Sequence, residues 1–166
     1  MRIAVISDTH DNEERTNAIV QEFNEKIKPD AVIHCGDLIS PFILEALNKL
    51  KCKVYICFGY QDGGECSFAL FEKKGPNIVF STGQGTRFGE IKDEKVAYIH
   101  TPVLAKALAS TGDYKAVFYG HTHEAKIEKV KDCWLVNPGE ILGSEHKPSY
   151  VLYDTKLNKP EIIEFK

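Results

Sequence analysis

Histidines and aspartates gather in a few short segments of this 166-residue chain. Asp8-Thr9-His10 closes one apolar run, His34-Cys35-Gly36-Asp37 a second and Gly59-Tyr60-Gln61-Asp62 a third. His100 closes a fourth, and Gly120-His121-Thr122-His123 a fifth. Taken singly, each residue has a plain alternative. An Asp after a strand is often a helix cap, a Gly-Asp pair a turn, and a strand-end His a hydrogen-bonded structural group. Five such segments together exceed what capping requires. Ligands of α/β sheets bind beyond the carboxyl ends of the strands, so these segments are expected to share one edge. Carboxylates and imidazoles without thiolates suit Mn²⁺, Fe²⁺, Zn²⁺, Ni²⁺ or Co²⁺ better than Ca²⁺ or Mg²⁺ alone. Asp8 and His10 alternate on a segment that reads as extended, so both can face one ion, and His121 and His123 do likewise. A central carboxylate can bridge two ions about 4 Å apart. Gly36 and Gly120 let backbone approach closely.

The elements that must position these residues follow from hydrophobic periodicity. Ile3 to Ile6 is a short β-branched run and predicts a buried strand. Ala18, Ile19, Phe23 and Ile27 recur at helical spacing and predict a helix over roughly 12–28. Ala31 to Cys35 and Val54 to Phe58 predict two more strands. Between them Ser40-Pro41 starts a helix with Phe42, Leu44, Ala46, Leu47 and Leu50 as apolar positions. Strand, helix, strand, helix, strand implies a parallel sheet with right-handed crossovers. The second half predicts strands at Ile78 to Ser81, Thr86 to Ile91, Lys95 to His100 and Ala116 to Tyr119, with a helix near 103–110. A hairpin is expected around Lys131-Asp132, from Ile127 to Val130 and Trp134 to Val136. Tyr150 to Tyr153 and Ile162 to Phe165 finish the chain. No repeat or linker interrupts it, so 1–166 reads as a single domain.

Composition narrows the function classes. With 43% hydrophobic and 27% charged residues the chain is an ordinary globular sequence. Its net charge of −3 supplies no bulk field for nucleic acid or an anionic membrane. Clusters such as Lys49 to Lys53 read as solvated faces. No apolar run reaches the roughly 20 residues of a membrane span. Asp8 comes too early for a signal peptide, so a cytoplasmic location is expected. The five cysteines are odd in number and form no CxxC pair, which points to reduced, structural thiols. Gly63-Gly64 and Gly83-Gln84-Gly85 read as turns, since no P-loop or dinucleotide fingerprint is present. His34 reads as structural, and Trp134 and Tyr119 as core aromatics.

The ordered set Asp8-x-His10, Gly36-Asp37, Gly59-x-x-Asp62, His100, Gly120-His121-Thr122-His123 and Asn137-Pro138-Gly139 resembles the calcineurin-like metallophosphoesterases. It is most similar to their small archaeal and bacterial branch, the phosphodiesterases of the YfcE type. The resemblance spans essentially the whole chain. It implies an α/β fold, a four-layer α/β/β/α sandwich of two mixed β-sheets flanked by helices. It also implies hydrolysis of a small phosphate ester or phosphodiester by water activated at a dinuclear centre, with two divalent ions drawn from Mn, Ni, Fe, Zn or Mg. Carried over residue by residue, Asp8, His10, Asp37 and His123 would hold the first ion. Asp37 would bridge to the second, held also by His100 and His121. Asp37, His100 and His121 are thus the expected catalytic set.

Two departures stand out. The family has Gly-Asn followed by His or Asn, with the Asn a ligand of the second ion and a following His the acid for the leaving group. Here Tyr60 occupies the Asn position and Gln61 the next. A phenol ligates only after losing its proton, and an amide has no labile proton to give. The family's usual His-Gly-His is also replaced, by His100-Thr101-Pro102. An alternative class follows: some members of this family, such as the retromer subunit of this fold, are protein-binding scaffolds, and a nucleotide-binding module is a third reading. The segment from Gly139 to Pro148 is expected either to line the site or to form a homodimer contact.

Overall fold

Alternation along the strands sorts the apolar side chains into three separate cores. In β1 (Arg2–Ile6), Ile3 and Val5 face one way, and Ala4 and Ile6 the other. Both faces of this strand are buried, which is why it reads as a continuous apolar run rather than an alternating one. A computed structural model of the chain describes residues 1–63, 75–81 and 88–166.

Helix α1 (Glu13–Glu22) starts at Asn12, whose side chain accepts a hydrogen bond from the Arg15 amide. The helix expected over 12–28 does not stay α-helical. Its last stretch, Phe23–Ile27, widens into a π-helical turn that ends at Lys28 in the left-handed region. Strand β2 (Ala31–His34), α2 (Phe42–Leu47) and β3 (Lys53–Ile56) follow. Leu50 stays buried although α2 stops before it. Next come β4 (Ile78–Phe80), β5 (Phe88–Ile91), β6 (Val96–Ile99) and α3 (Pro102–Thr111). Pro102 supplies a preset first helical residue, and Gly112 at φ 91° ends the helix in a conformation costly for any other residue. The chain closes with β7 (Ala116–Phe118), β8 (Lys126–Val130), β9 (Cys133–Asn137), β10 (Ser149–Asp154) and β11 (Lys159–Glu164). The start of the strand expected at Thr86, the turns at Gly64 and Gly83-Gln84-Gly85, and Cys66 lie outside the described residues. Cys35, Cys52, Cys57 and Cys133 form no disulfide.

The strands form two mixed sheets, ordered β11-β10-β1-β2-β3-β4 and β5-β6-β7-β9-β8. The β1-β2-β3-β4 and β6-β7-β9 neighbours are parallel, while β10, β11, β5 and β8 pair antiparallel. Ala4, Ile6, Val32, Val54 and Ile56 pack against α1, the π-helical turn and α2 through Ile19, Phe23, Leu44 and Leu47. Ile3, Val5, Ile33, Cys35 and Cys57 meet Val96, Tyr98, Ala116, Phe118 and Val136 of the other sheet. Ala97, Ile99, Val117 and Leu135 pack on Ala105 and Ala109 of α3. These three cores separate four layers, the α/β/β/α sandwich expected. The sandwich brings the carboxyl ends of β1, β2, β3, β6 and β7 to a common edge.

Candidate metal centre

At that edge the chain leaves each strand and turns sharply. Asp8, His10, Asp37, His121 and His123 all have positive φ, at 54, 42, 55, 74 and 59°. The extended alternation expected for Asp8/His10 and His121/His123 is therefore not what faces them inward. Left-handed turns do it, each an unfavourable backbone state of order 1–3 kcal/mol. Inter-segment hydrogen bonds hold these turns. The Asp8 amide donates to the Gly36 carbonyl at 3.1 Å, the His10 amide to the Asp37 carbonyl at 3.1 Å, and the His121 amide to Asp8 Oδ2 at 3.1 Å. Gly36 is needed for the close approach: at φ 98°, a Cβ there would sit 2.6 Å from the Gly59 nitrogen and 2.9 Å from His100 Nδ1.

The six residues expected as ligands come together in two groups. Asp8, His10 and His123 form one; Asp37, His100 and His121 form the other. Ligand atoms within each group lie within 4.8 Å of one another. Asp37 sits between them, with Oδ2 3.8 Å from His10 Nε2 and 3.4 Å from His100 Nε2. His123 Nε2 approaches Asp8 Oδ1 at 3.4 Å.

Asp8 Oδ1, His10 Nε2 and His100 Nε2 are buried and make no hydrogen bond. Orphaned polar atoms of this kind are costly in a folded interior, about 1–3 kcal/mol each. All three are lone-pair donors aimed into one small region. That is the arrangement a divalent cation satisfies, so the residues present fit the metal ions the sequence implies.

Supporting groups fix the imidazoles. His100 Nδ1 lies 2.8 Å from the Cys35 carbonyl oxygen, so as the donor it leaves Nε2 directed at Asp37. His123 Nδ1 lies 2.9 Å from Oε2 of Glu140, a fully buried carboxylate. Glu140 Oε1 in turn accepts the amides of Glu145 and His146, each at 2.7 Å. The Gly139–Pro148 segment thus backs the site. Asp62 takes the amides of Asp37, Leu38, Ile39 and Gly59 at 2.6 to 3.0 Å, tying the β2 and β3 loops together. Asn137 Nδ2 donates to the Gly120 carbonyl and to Thr122 Oγ1, each at 3.0 Å, and so shapes the Gly-His-Thr-His turn.

Burial opposes charge at Asp8 and Asp37, but surrounding imidazoles outweigh it and hold both carboxyls below the usual range. The Asp8 carboxylate pushes His123 up to about 9. Burial acts against charge at His100 too, yet Asp37 and Asp8 raise it overall.

Tyr60 stands apart from the ligand groups. Its hydroxyl pairs with Thr101 Oγ1 at 3.0 Å, and its ring lies edgewise to His121 and His100, 4.9 and 5.3 Å between centroids. The backbone amide of Gln61 donates to Asp37 Oδ1 at 2.9 Å. His34, as expected, is structural. Its Nδ1 accepts the Gly36 amide, Nε2 pairs with Thr9 Oγ1, and burial pushes it down to about 4. Residue-type reasoning missed Glu140. Its signal was a carboxylate directly after Asn137-Pro138-Gly139, followed by the apolar Ile141.

Comparison with known proteins agrees with this geometry. Residues 1–158 match the calcineurin-like phosphoesterase superfamily domain. Phosphodiesterase MJ0936 of Methanocaldococcus jannaschii is 32% identical over 144 residues, covering 86% of each chain. A solved archaeal phosphodiesterase superposes with a TM-score of 0.86 at 28% identity, covering 99% of this chain and all of that one. Zinc-complexed Vps29 of Entamoeba histolytica shares the fold alone, with a TM-score of 0.66 at 17% identity over the whole of both chains. The chain therefore belongs to the calcineurin-like phosphoesterase superfamily, the metal-dependent phosphoesterases.

Proposed function

We propose that this protein hydrolyses a phosphodiester or small phosphate ester at a dinuclear site. Asp8, His10, Asp37 and His123 would hold one ion, and Asp37, His100 and His121 the other. The observation that carries this reading is the convergence of three buried, unpaired donor atoms, Asp8 Oδ1, His10 Nε2 and His100 Nε2.

Divalent ions bound there would lower the pKa of water into the neutral range and offset charge on the phosphoryl oxygens. The protein's own groups do the rest. Asp37 Oδ2 lies where a single carboxylate reaches both groups. Glu140 orients His123, and the Cys35 carbonyl orients His100, so that each presents Nε2 inward. Asp62 holds the Asp37 and Gly59 turns in register. The Gln61 side chain has no proton to hand to a leaving group, so the reaction suits esters whose leaving group departs unprotonated. Manganese and nickel match the mixed carboxylate and imidazole donors, as do iron and zinc. Unpaired cysteines among the described residues suit a reducing cytoplasm.

The test is metal analysis of the purified protein, then hydrolysis of a bis-aryl phosphate with Mn²⁺, Ni²⁺ or Mg²⁺ added. Turnover abolished by a chelator and restored by metal is the expected result. Full metal loading with no turnover on any ester would instead favour the scaffold reading, which the Tyr60-Gln61 replacement makes the main competitor.

A further inference from the structure

The rim of the site is uneven in a way the metal chemistry does not use. Beside Asp8, His10 and His123 stand polar residues: Asp11, Asn12, Ser144 and Glu145. Beside His100 and His121 stands Tyr60, a large apolar ring that remains 52% exposed. Its edgewise packing on both imidazoles and its hydroxyl bond to Thr101 fix the ring. A side chain already held at its ring and its hydroxyl pays little further entropy when something packs on the part that stays exposed. Just beyond Thr101, Val103 and Leu104 are 78% and 52% exposed in the first turn of α3. Among the described residues, an aromatic ring thus stands directly beside the second ligand group.

We infer that Tyr60 is a specificity-determining residue that recognises aryl phosphoesters, its ring packing against the aromatic group joined to the scissile oxygen. This rests on the reading that the two ligand groups hold ions and take a phosphoryl group. Two independent features agree on the aryl class. The ring supplies an apolar, π-rich surface next to the place where the phosphoryl group would sit. Gln61, one residue on, supplies no proton, and an aryloxide needs none in order to leave. In the step, the water oxygen forms the new bond to phosphorus and the water proton passes to solvent. The bond from phosphorus to the aryl oxygen breaks, and the aryloxide departs with the electron pair. An aromatic contact at a half-exposed site is worth about tenfold in affinity.

The test uses the Mn²⁺-saturated full chain and two non-hydrolysable probes, phenylphosphonate and methylphosphonate, titrated by calorimetry. The wild type is expected to bind phenylphosphonate about tenfold more tightly than methylphosphonate. Tyr60→Phe should keep that ratio, since the ring is retained, and Tyr60→Ala should reduce it to about twofold. Circular dichroism and Mn²⁺ stoichiometry check that both variants fold and load. A wild-type ratio near one, or a ratio unchanged in Tyr60→Ala, overturns the inference. A separate assay of phenyl phosphate hydrolysis distinguishes the two failures. Probe discrimination without hydrolysis leaves aryl recognition standing and removes the enzymatic reading. Hydrolysis without discrimination removes Tyr60 as the selector.

Discussion

The two ligand groups are built from the same residue types but are supported differently. Asp8, His10 and His123 lie in the mouth between β1 and β7. There a buried Glu140 steadies His123 through a hydrogen bond of 2.9 Å and is itself held by two amides. On the other side, His100 leans on a neutral carbonyl and His121 is exposed to solvent. At the position where the resemblance implies a neutral Asn oxygen, this chain has an aromatic ring whose hydroxyl pairs with Thr101. On the proposed function, one half of the centre would keep its full donor set and an anionic support, and the other would have exchanged a donor for an apolar surface. On that same reading, metal affinity and substrate selection would be weighted toward opposite halves.

Asp37 belongs to both halves, so its loss should be the largest effect. Asp37→Ala leaves two clusters of imidazoles with one carboxylate between them. It is expected to lower Mn²⁺ affinity at least a hundredfold and turnover about a thousandfold. Calorimetry and a bis-aryl phosphate assay check this, and wild-type affinity in the variant would reduce Asp37 to a turn residue.

Restoring the missing donor and acid should narrow the difference between the halves. The double variant Tyr60→Asn with Gln61→His is expected to speed alkyl phosphodiester hydrolysis about a hundredfold, within the usual reach of general acid catalysis. Aryl esters should gain less, because their leaving group needs no proton and the ring that packs on it is lost. Parallel kinetics on one alkyl and one aryl substrate decide the matter. Equal or slower rates on both, with normal metal content, would show Tyr60 and Gln61 to be fitted to another use.

The asymmetry should also appear in metal binding itself. The Asp8 group is expected to bind Mn²⁺ about ten- to a hundredfold more tightly than the His100 group, and Glu140→Ala should erase most of that lead. Two equal tight sites in a wild-type titration would contradict this comparison.

The most gradual effect is on pH dependence. Asp8 holds His123 protonated up to about pH 9 in the metal-free protein, and only the neutral imidazole ligates. Binding at this group must therefore displace a proton below that pH. Apparent affinity should fall about tenfold per unit as pH drops from 9 toward 7, and level off above 9. Titrations in buffers of different ionisation enthalpy count the released proton. A flat profile would mean that His123 is already neutral.

Much of this molecule was legible from residue types alone. Runs such as Ile3–Ile6 and Ala31–Cys35 announce buried parallel strands, because apolar runs without alternation fit a sheet covered on both faces. Asp8, His10, Asp37, His100, His121 and His123 could be read as one site because each follows such a strand, and strand ends converge by topology. The departure at Tyr60-Gln61 was equally plain. These features are local: each depends on a few adjacent residues and on the regular geometry of a sheet.

The tertiary structure alone decided how those residues face one another. Left-handed turns at five of the six candidate ligand residues are unfavourable locally, and distant carbonyls and carboxylates hold those at Asp8, His10, Asp37 and His121. Glu140 reaches His123 across 17 residues, Asp62 binds amides 23 to 25 residues away on the β2 loop, and Tyr60 meets Thr101 across 41. Such pairings depend on sheet register and layer packing, which bring remote segments within 3 Å. No window of sequence carries that information. It arises once three cores have fixed the four layers, and with them the positions of every strand end.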